Sequence, residues 1–196
     1  MRRSLAAALF FASLPAAPAQ PTLHIRVLDY GAVPSATLGA FQAPARQLFE
    51  QSGIVSDWPV CRVQSRQGDC RPLADSELYV KILPTAPRGK SAFGTTVRQG
   101  ARGLFAYVFW ARVEQAARRD GVPPSLLLAH VIAHEAGHLL GLEHTSAGIM
   151  RDEFGTPEIL RASQGTLRFS PSESAALRDA LRPLDPTRAA GSRPSR

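Results

Sequence analysis

The segment His134-Glu135-Ala136-Gly137-His138-Leu139-Leu140-Gly141-Leu142-Glu143-His144 constrains this chain more than any other. On an α-helix, His134 and His138 fall one turn apart on the same face, so both imidazoles reach one metal ion. Glu135 stands beside the first of them and reaches a water on that ion. Gly141 lets the chain leave the helix through a left-handed turn and bring His144 back as a third ligand. Three histidines leave one tetrahedral position of Zn²⁺ open, the arrangement of a catalytic site rather than a structural one. A bare H-E-x-x-H is a far weaker signal than this string, in which five fixed positions are matched together. The plainer alternative is an amphipathic helix whose histidines only pack or face water.

Two further histidines need separate treatment. His130 lies on the same helical face, one turn before His134, but further from the His144 loop, so a supporting or packing role is expected for it. His24 falls on an expected strand and reads as structural.

The chain has 196 residues, enough for one domain with a real core. Its first segment reads as a leader. Arg2 and Arg3 are followed by an apolar run, Leu5 to Leu14, too short to span a bilayer, and Ala17-Pro18-Ala19 offers an A-x-A cleavage site. Residues 1–19 are therefore expected to be a signal peptide, with a retained membrane anchor as the alternative. Residues 20–184 form the expected domain, and 185–196 an expected disordered tail rich in Pro, Ala and Ser. No later stretch is long and apolar enough to be transmembrane. The only cysteines, Cys61 and Cys70, read in an exported chain as one disulfide closing a small polar loop, with two free thiols as the alternative. The formal net charge is +7. The arginines behind it are scattered rather than clustered, which argues against a nucleic-acid partner.

Alternation of apolar and polar residues predicts a strand over Leu23 to Tyr30. Helical spacing follows over Ala36 to Gln51, with Pro44 implying a kink or a late start. Further strands are expected over Val55 to Val63, Leu78 to Leu83, Ala92 to Val97 (of edge character) and Leu104 to Trp110. Ala111 to Arg119 reads as a short helix. Pro123-Pro124 opens the motif helix, which runs to about Leu140. Ser172 to Leu181 is the last helix, capped by Ser170 or Ser172 and stopped by Pro183.

The eleven-residue string, with Met150 following it in Ser146-Ala147-Gly148-Ile149-Met150, resembles the signature and methionine turn of the metzincin zinc metallopeptidases. The likeness covers roughly residues 22–182 and looks closest to compact, matrixin-like members. It implies an α+β fold: a twisted, five-stranded mixed sheet over the active-site helix, then a loop-rich C-terminal subdomain with one helix. It implies one catalytic Zn²⁺ on His134, His138 and His144, with Glu135 as general base and Met150 beneath the metal. Zinc would lower the pKa of a bound water, and Glu135 would take its proton as the water attacks a peptide carbonyl. The edge strand near Ala92 to Val97 would hold an extended peptide by strand addition. Arg151, Asp152, Glu153 and Phe154 are candidates for lining the specificity pocket.

The chain also departs from the family. Asp152 stands where some metzincins place a tyrosine ligand, so no such ligand is expected. No pro-segment with a cysteine switch is visible, and no acidic loops for structural calcium. The expectation is a secreted or periplasmic zinc metalloendopeptidase acting on peptides or proteins, without stable membrane insertion and favouring a monomer. The alternatives are a zinc hydrolase acting on cell-wall peptides and an inactive zinc-containing binding protein. The intact Glu135 argues against the last.

Overall fold

The computed structural model describes residues 20–182, except 32, 73, 75, 76, 89–91, 100 and 101. The expected leader and tail lie outside the described residues. The elements run β1 (Thr22–Asp29), α1 (Ser35–Ala40), α2 (Gln42–Glu50), β2 (Val55–Asp57), β3 (Val60–Arg62), β4 (Gln67–Gly68), β5 (Leu78–Leu83), β6 (Gly94–Gln99), β7 (Arg102–Phe109), α3 (Trp110–Asp120), α4 (Pro124–Leu139), α5 (Thr156–Ser163) and α6 (Pro171–Leu181).

The sheet is mixed, in the order β4-β3-β1-β5-β7-β6 with β2 also paired to β1, so it has seven strands rather than the five expected. The two extra strands have physical causes. The run Val55 to Val63 is cut at Trp58-Pro59: β2 pairs Thr22 to His24 and β3 pairs Val27 to Asp29, both in parallel with β1. Proline has no N–H for the ladder, but the Pro59 carbonyl still accepts from the Val27 N–H at 2.9 Å. The chain then doubles back as β4, antiparallel to β3, and Cys61 and Cys70 are joined in a disulfide across that turn. A proline likewise divides the first helical stretch. Pro44 cannot donate to the Ala40 carbonyl, and the helix is interrupted at Phe41 into α1 and α2.

One face of the sheet carries the core. Ile25 and Val27 of β1, Val80 and Ile82 of β5, and Ala106 and Val108 of β7 are fully buried at alternate positions. They face a helical layer in which α4 packs on β5, β6 and β7 and on α1, α2 and α3. Because α4 is surrounded, it is apolar nearly all round: Leu127, Leu128, Ile132, Ala133, Ala136 and Leu139 are fully buried. No helix among the described residues is long and apolar enough to cross a membrane.

The C-terminal part holds two helices, not one. The unanticipated α5 starts with Gly155 as N-cap, Pro157 in the first turn and Glu158 at N3, whose carboxylate accepts from the Gly155 N–H at 3.1 Å. It packs on α3 and α4 through Ile159 and Ala162. The last helix, α6, has a full capping box between Ser170 and Glu173. It is tied to the end of α2, where the Arg178 guanidinium donates to the Ser52 carbonyl at 2.6 Å and Phe169 packs on Phe49.

Away from the motif helix, a buried charge network anchors the 69–77 segment to the sheet. Arg26 of β1 is fully buried and donates to both oxygens of buried Glu77, at 2.8 and 2.9 Å, and to the Arg71 carbonyl at 2.6 Å. Burial alone would raise the Glu77 carboxyl. The Ala74 N–H and the Arg26 and Arg71 guanidinium groups outweigh it and hold the carboxyl at about 2. Glu77→Gln should therefore destabilise the protein at neutral pH by about 3 kcal/mol, because it removes the nearer counter-charge of a buried guanidinium and leaves only Asp69, at 3.6 Å. The folded-state pKa is lowered, so the stability this group contributes is present above about 4.5 and lost as the pH falls toward 2. Chemical denaturation of wild type and variant across that range should show the gap closing on the acid side.

Candidate metal centre

The centre is built at the C-terminal end of α4. The helix ends in a Schellman motif: the Leu142 N–H reaches the Gly137 carbonyl at 2.9 Å and the Gly141 N–H reaches the His138 carbonyl at 3.0 Å. Gly141 is the left-handed residue this requires, with φ 95°. The turn does two things at once. It aims the Leu142 carbonyl at His138 Nδ1, 2.8 Å away, and sends the chain back so that His144 faces the helix.

His144 opens a tight loop closed by the Thr145 N–H on the Met150 carbonyl at 2.8 Å. Inside it, the Ile149 carbonyl accepts from His134 Nδ1 at 2.8 Å. Met150 is fully buried, its thioether against the bare Cα of Gly137 in α4. The loop is pinned from below by α6: Thr145 Oγ1 donates to Glu173 Oε1 at 2.6 Å, and the Ser170 N–H to Glu173 Oε2 at 2.7 Å.

The three imidazoles converge through Nε2. His138 Nε2 lies 3.1 Å from His134 Nε2 and 3.0 Å from His144 Nε2. The partners of the other ring nitrogens settle the tautomers. Carbonyl oxygens only accept, so Nδ1 of His134 and of His138 carries the proton, and Nε2 presents a lone pair. His144 Nδ1 faces the Asp152 carboxylate at 3.1 Å, with the same consequence. Three lone pairs aimed at one another cannot hydrogen-bond among themselves; a cation between them resolves the conflict. Ligand atoms at the usual Zn–N distance on a tetrahedron stand about 3.3 Å apart, close to the separations here. The donor set therefore fits Zn²⁺, and among the described residues these three histidines form the group able to hold a metal ion. Burial pushes His134 down to about 4, against the opposing Ile149 hydrogen bond, and also lowers His138. Both rings are neutral and available as ligands at pH 7.

Glu135 is buried next to this cluster. Burial raises its carboxyl to about 7, with the Thr96 hydroxyl bond opposing the rise. A cavity of about 720 Å³ opens over the site between β6 and the loop after Met150. Asp152, Glu153 and Phe154 line it as anticipated. Arg151 does not: its guanidinium pairs with Glu158 at 3.2 Å, drawn away by the buried N3 carboxylate of α5. At one end, Arg98 of β6 and Glu143 of the motif turn bridge the cleft at 2.7 Å. Phe93 and Phe154 pack edge to face near His134.

The other histidines stay outside the cluster. His130 is buried on α4 with Nδ1 on the Leu126 carbonyl at 2.9 Å. His24 pairs with Asp57 at 2.6 Å on the sheet. Sequence reasoning left out Thr96 and Glu173, and noted Asp152 only as a missing ligand and a pocket candidate. The sole available signal for Glu173 was its place three residues after Ser170, a capping box.

The sequence matches no protein-family model and no curated protein. The fold, however, is that of known zinc peptidases. The archaemetzincin from Methanopyrus kandleri superposes with a TM-score of 0.51 at 16% identity, over 82% of this chain and 96% of that one. A zinc-dependent peptidase from Methanocorpusculum labreanum gives 0.52 at 17% identity, over 78% and 99%. Metalloproteinase-II from Bacteroides fragilis gives 0.53 at 15% identity, over 87% of this chain but only 56% of that longer protein.

Asp152→Ala removes the acceptor that orients His144 while leaving all three imidazoles in place. Competition with a chromophoric chelator should show zinc affinity reduced by about tenfold, the lower end for such a partner because Asp152 is largely exposed.

Proposed function

We propose that this protein is a zinc-dependent metalloendopeptidase, with His134, His138 and His144 as ligands of one zinc ion and Glu135 as general base. The observation that carries the reading is the convergence of three Nε2 lone pairs beside a buried glutamate at the floor of an open cleft. The zinc-peptidase fold of the structural neighbours supports it. The short spacing from His144 to Met150 supports a compact, matrixin-like layout, with Met150 as the turn methionine under the metal.

Zinc on these three histidines supplies Lewis acidity toward a water and a substrate carbonyl. The chain supplies the rest. Glu135 takes the proton of the attacking water on its carboxylate and delivers it to the leaving amine nitrogen. The strand β6 ends the sheet order beside the cleft, so an extended peptide can add along its outer side and lie across the site. The disulfide and the leader-like first residues support an exported, periplasmic or secreted location. Peptides or proteins are the proposed substrates, and a monomer the proposed state.

The test compares the mature chain, residues 20–196, with Glu135→Ala on a mixed peptide library, with zinc measured in both. Each should hold about one zinc, and the variant should lose cleavage by about 10²–10⁴-fold. Zinc in both with no cleavage by either would move the reading to cell-wall peptides or to a binding protein. No zinc in either would overturn the three-histidine site.

A further inference from the structure

Among the described residues, the Thr96 side chain hydrogen-bonds the Glu135 carboxylate. Thr96 Oγ1 donates to Glu135 Oε2 at 2.7 Å, and the Glu135 main-chain carbonyl lies 3.3 Å from the same hydroxyl. Thr96 sits on β6, paired with Ala106 of β7, and alternation puts Gly94 and Thr96 on the same side of the strand, facing α4 and the cleft. Gly94 completes the contact. A Cβ there would stand 2.5 Å from Glu135 Oε1 and 2.7 Å from the Tyr107 carbonyl, so the carboxylate fits only because position 94 has no side chain.

A glutamate on this helix has staggered alternatives. Glu135 is buried, yet it lines the cavity, so a partner on the cavity wall can fix which alternative it takes. Two features of β6 meet it there: Gly94 admits the carboxylate, and the Thr96 hydroxyl holds Oε2. We infer that Thr96 is a positioning residue that orients the Glu135 carboxylate for its proton transfers, and that the strand proposed to hold the substrate also holds the base. This rests on the peptidase reading above. A charge-assisted bond of this length is among the stronger ones, and a misplaced base loses rate without losing substrate affinity.

The test uses Thr96→Val, which keeps the β-branched shape without the hydroxyl, and Thr96→Ser, which keeps the hydroxyl. The substrate is the peptide the wild type cleaves best, and Glu135→Gln is run beside them. Thr96→Val should keep its zinc and its KM within about twofold and lose about ten- to a hundredfold in kcat, while Thr96→Ser should stay within about threefold of wild type. A crystal structure of Thr96→Val should show the carboxylate turned off the strand. In the Glu135→Gln background, Thr96→Val should add no further loss.

An unchanged kcat in Thr96→Val, with Glu135→Gln inactive, would overturn the positioning role and leave the peptidase reading intact. Equal losses in the Val and Ser variants would overturn it too, since the hydroxyl would not be the cause. So would a rise in KM alone, which belongs to a substrate contact. Glu135→Gln as active as the wild type would instead bring down the underlying reading.

Discussion

Three imidazole nitrogens with their lone pairs turned toward one point repel one another, and the described structure around them holds that unfavourable arrangement in place. Each ring is fixed from behind. Ile149 and Leu142 offer carbonyls to His134 and His138, and Asp152 offers a carboxylate to His144. The carbonyls are where they are because α4 ends in a Schellman turn and because the 145–150 loop closes on itself. The loop in turn is held by Glu173, whose capping-box role at α6 brings a carboxylate under Thr145. Helix termination, loop closure and the packing of a distant helix thus serve one local geometry.

The same rule, that a buried polar group must meet a partner, explains the far side of the sheet. Arg26 occupies a strand position in the middle of the molecule and is fully buried. Glu77 and the Arg71 carbonyl meet it there, and the disulfide closes the hairpin just before Arg71. Both regions therefore place charged or polar groups inside the fold and pair them there. At the motif it orients the three histidines; at the other region it anchors Arg71 and Glu77 to β1.

Much of the fold was legible because its signals are local. The alternation in β1 and β5, the prolines before α4 and α6 and the glycine that ends the motif helix all act within a few residues of where they stand. The errors came from tertiary pairing. Val55 to Val63 reads as one strand, and only pairing with β1 reveals that Trp58-Pro59 divides it. The helix α5 is amphipathic but only two turns long, too short to be stable alone, and it packs on α3 and α4 through Ile159 and Ala162. Arg151 is a pocket candidate from its position after Met150, yet its guanidinium pairs with Glu158 instead.

The sequence by itself determined the three clustered histidines, the neighbouring glutamate and the helix that carries His134, Glu135 and His138, because a 3.6-residue period and one glycine suffice to bring those groups to one side. It also determined the inner face of the sheet, through strict alternation. Only the tertiary structure decided how those groups are held. Thr96 stands 39 residues from Glu135, and Glu173 stands 28 from Thr145. Nothing in the chain between links them, since a hydrogen bond needs atoms within about 3 Å and only the packing of β6 and α6 against the motif brings them there.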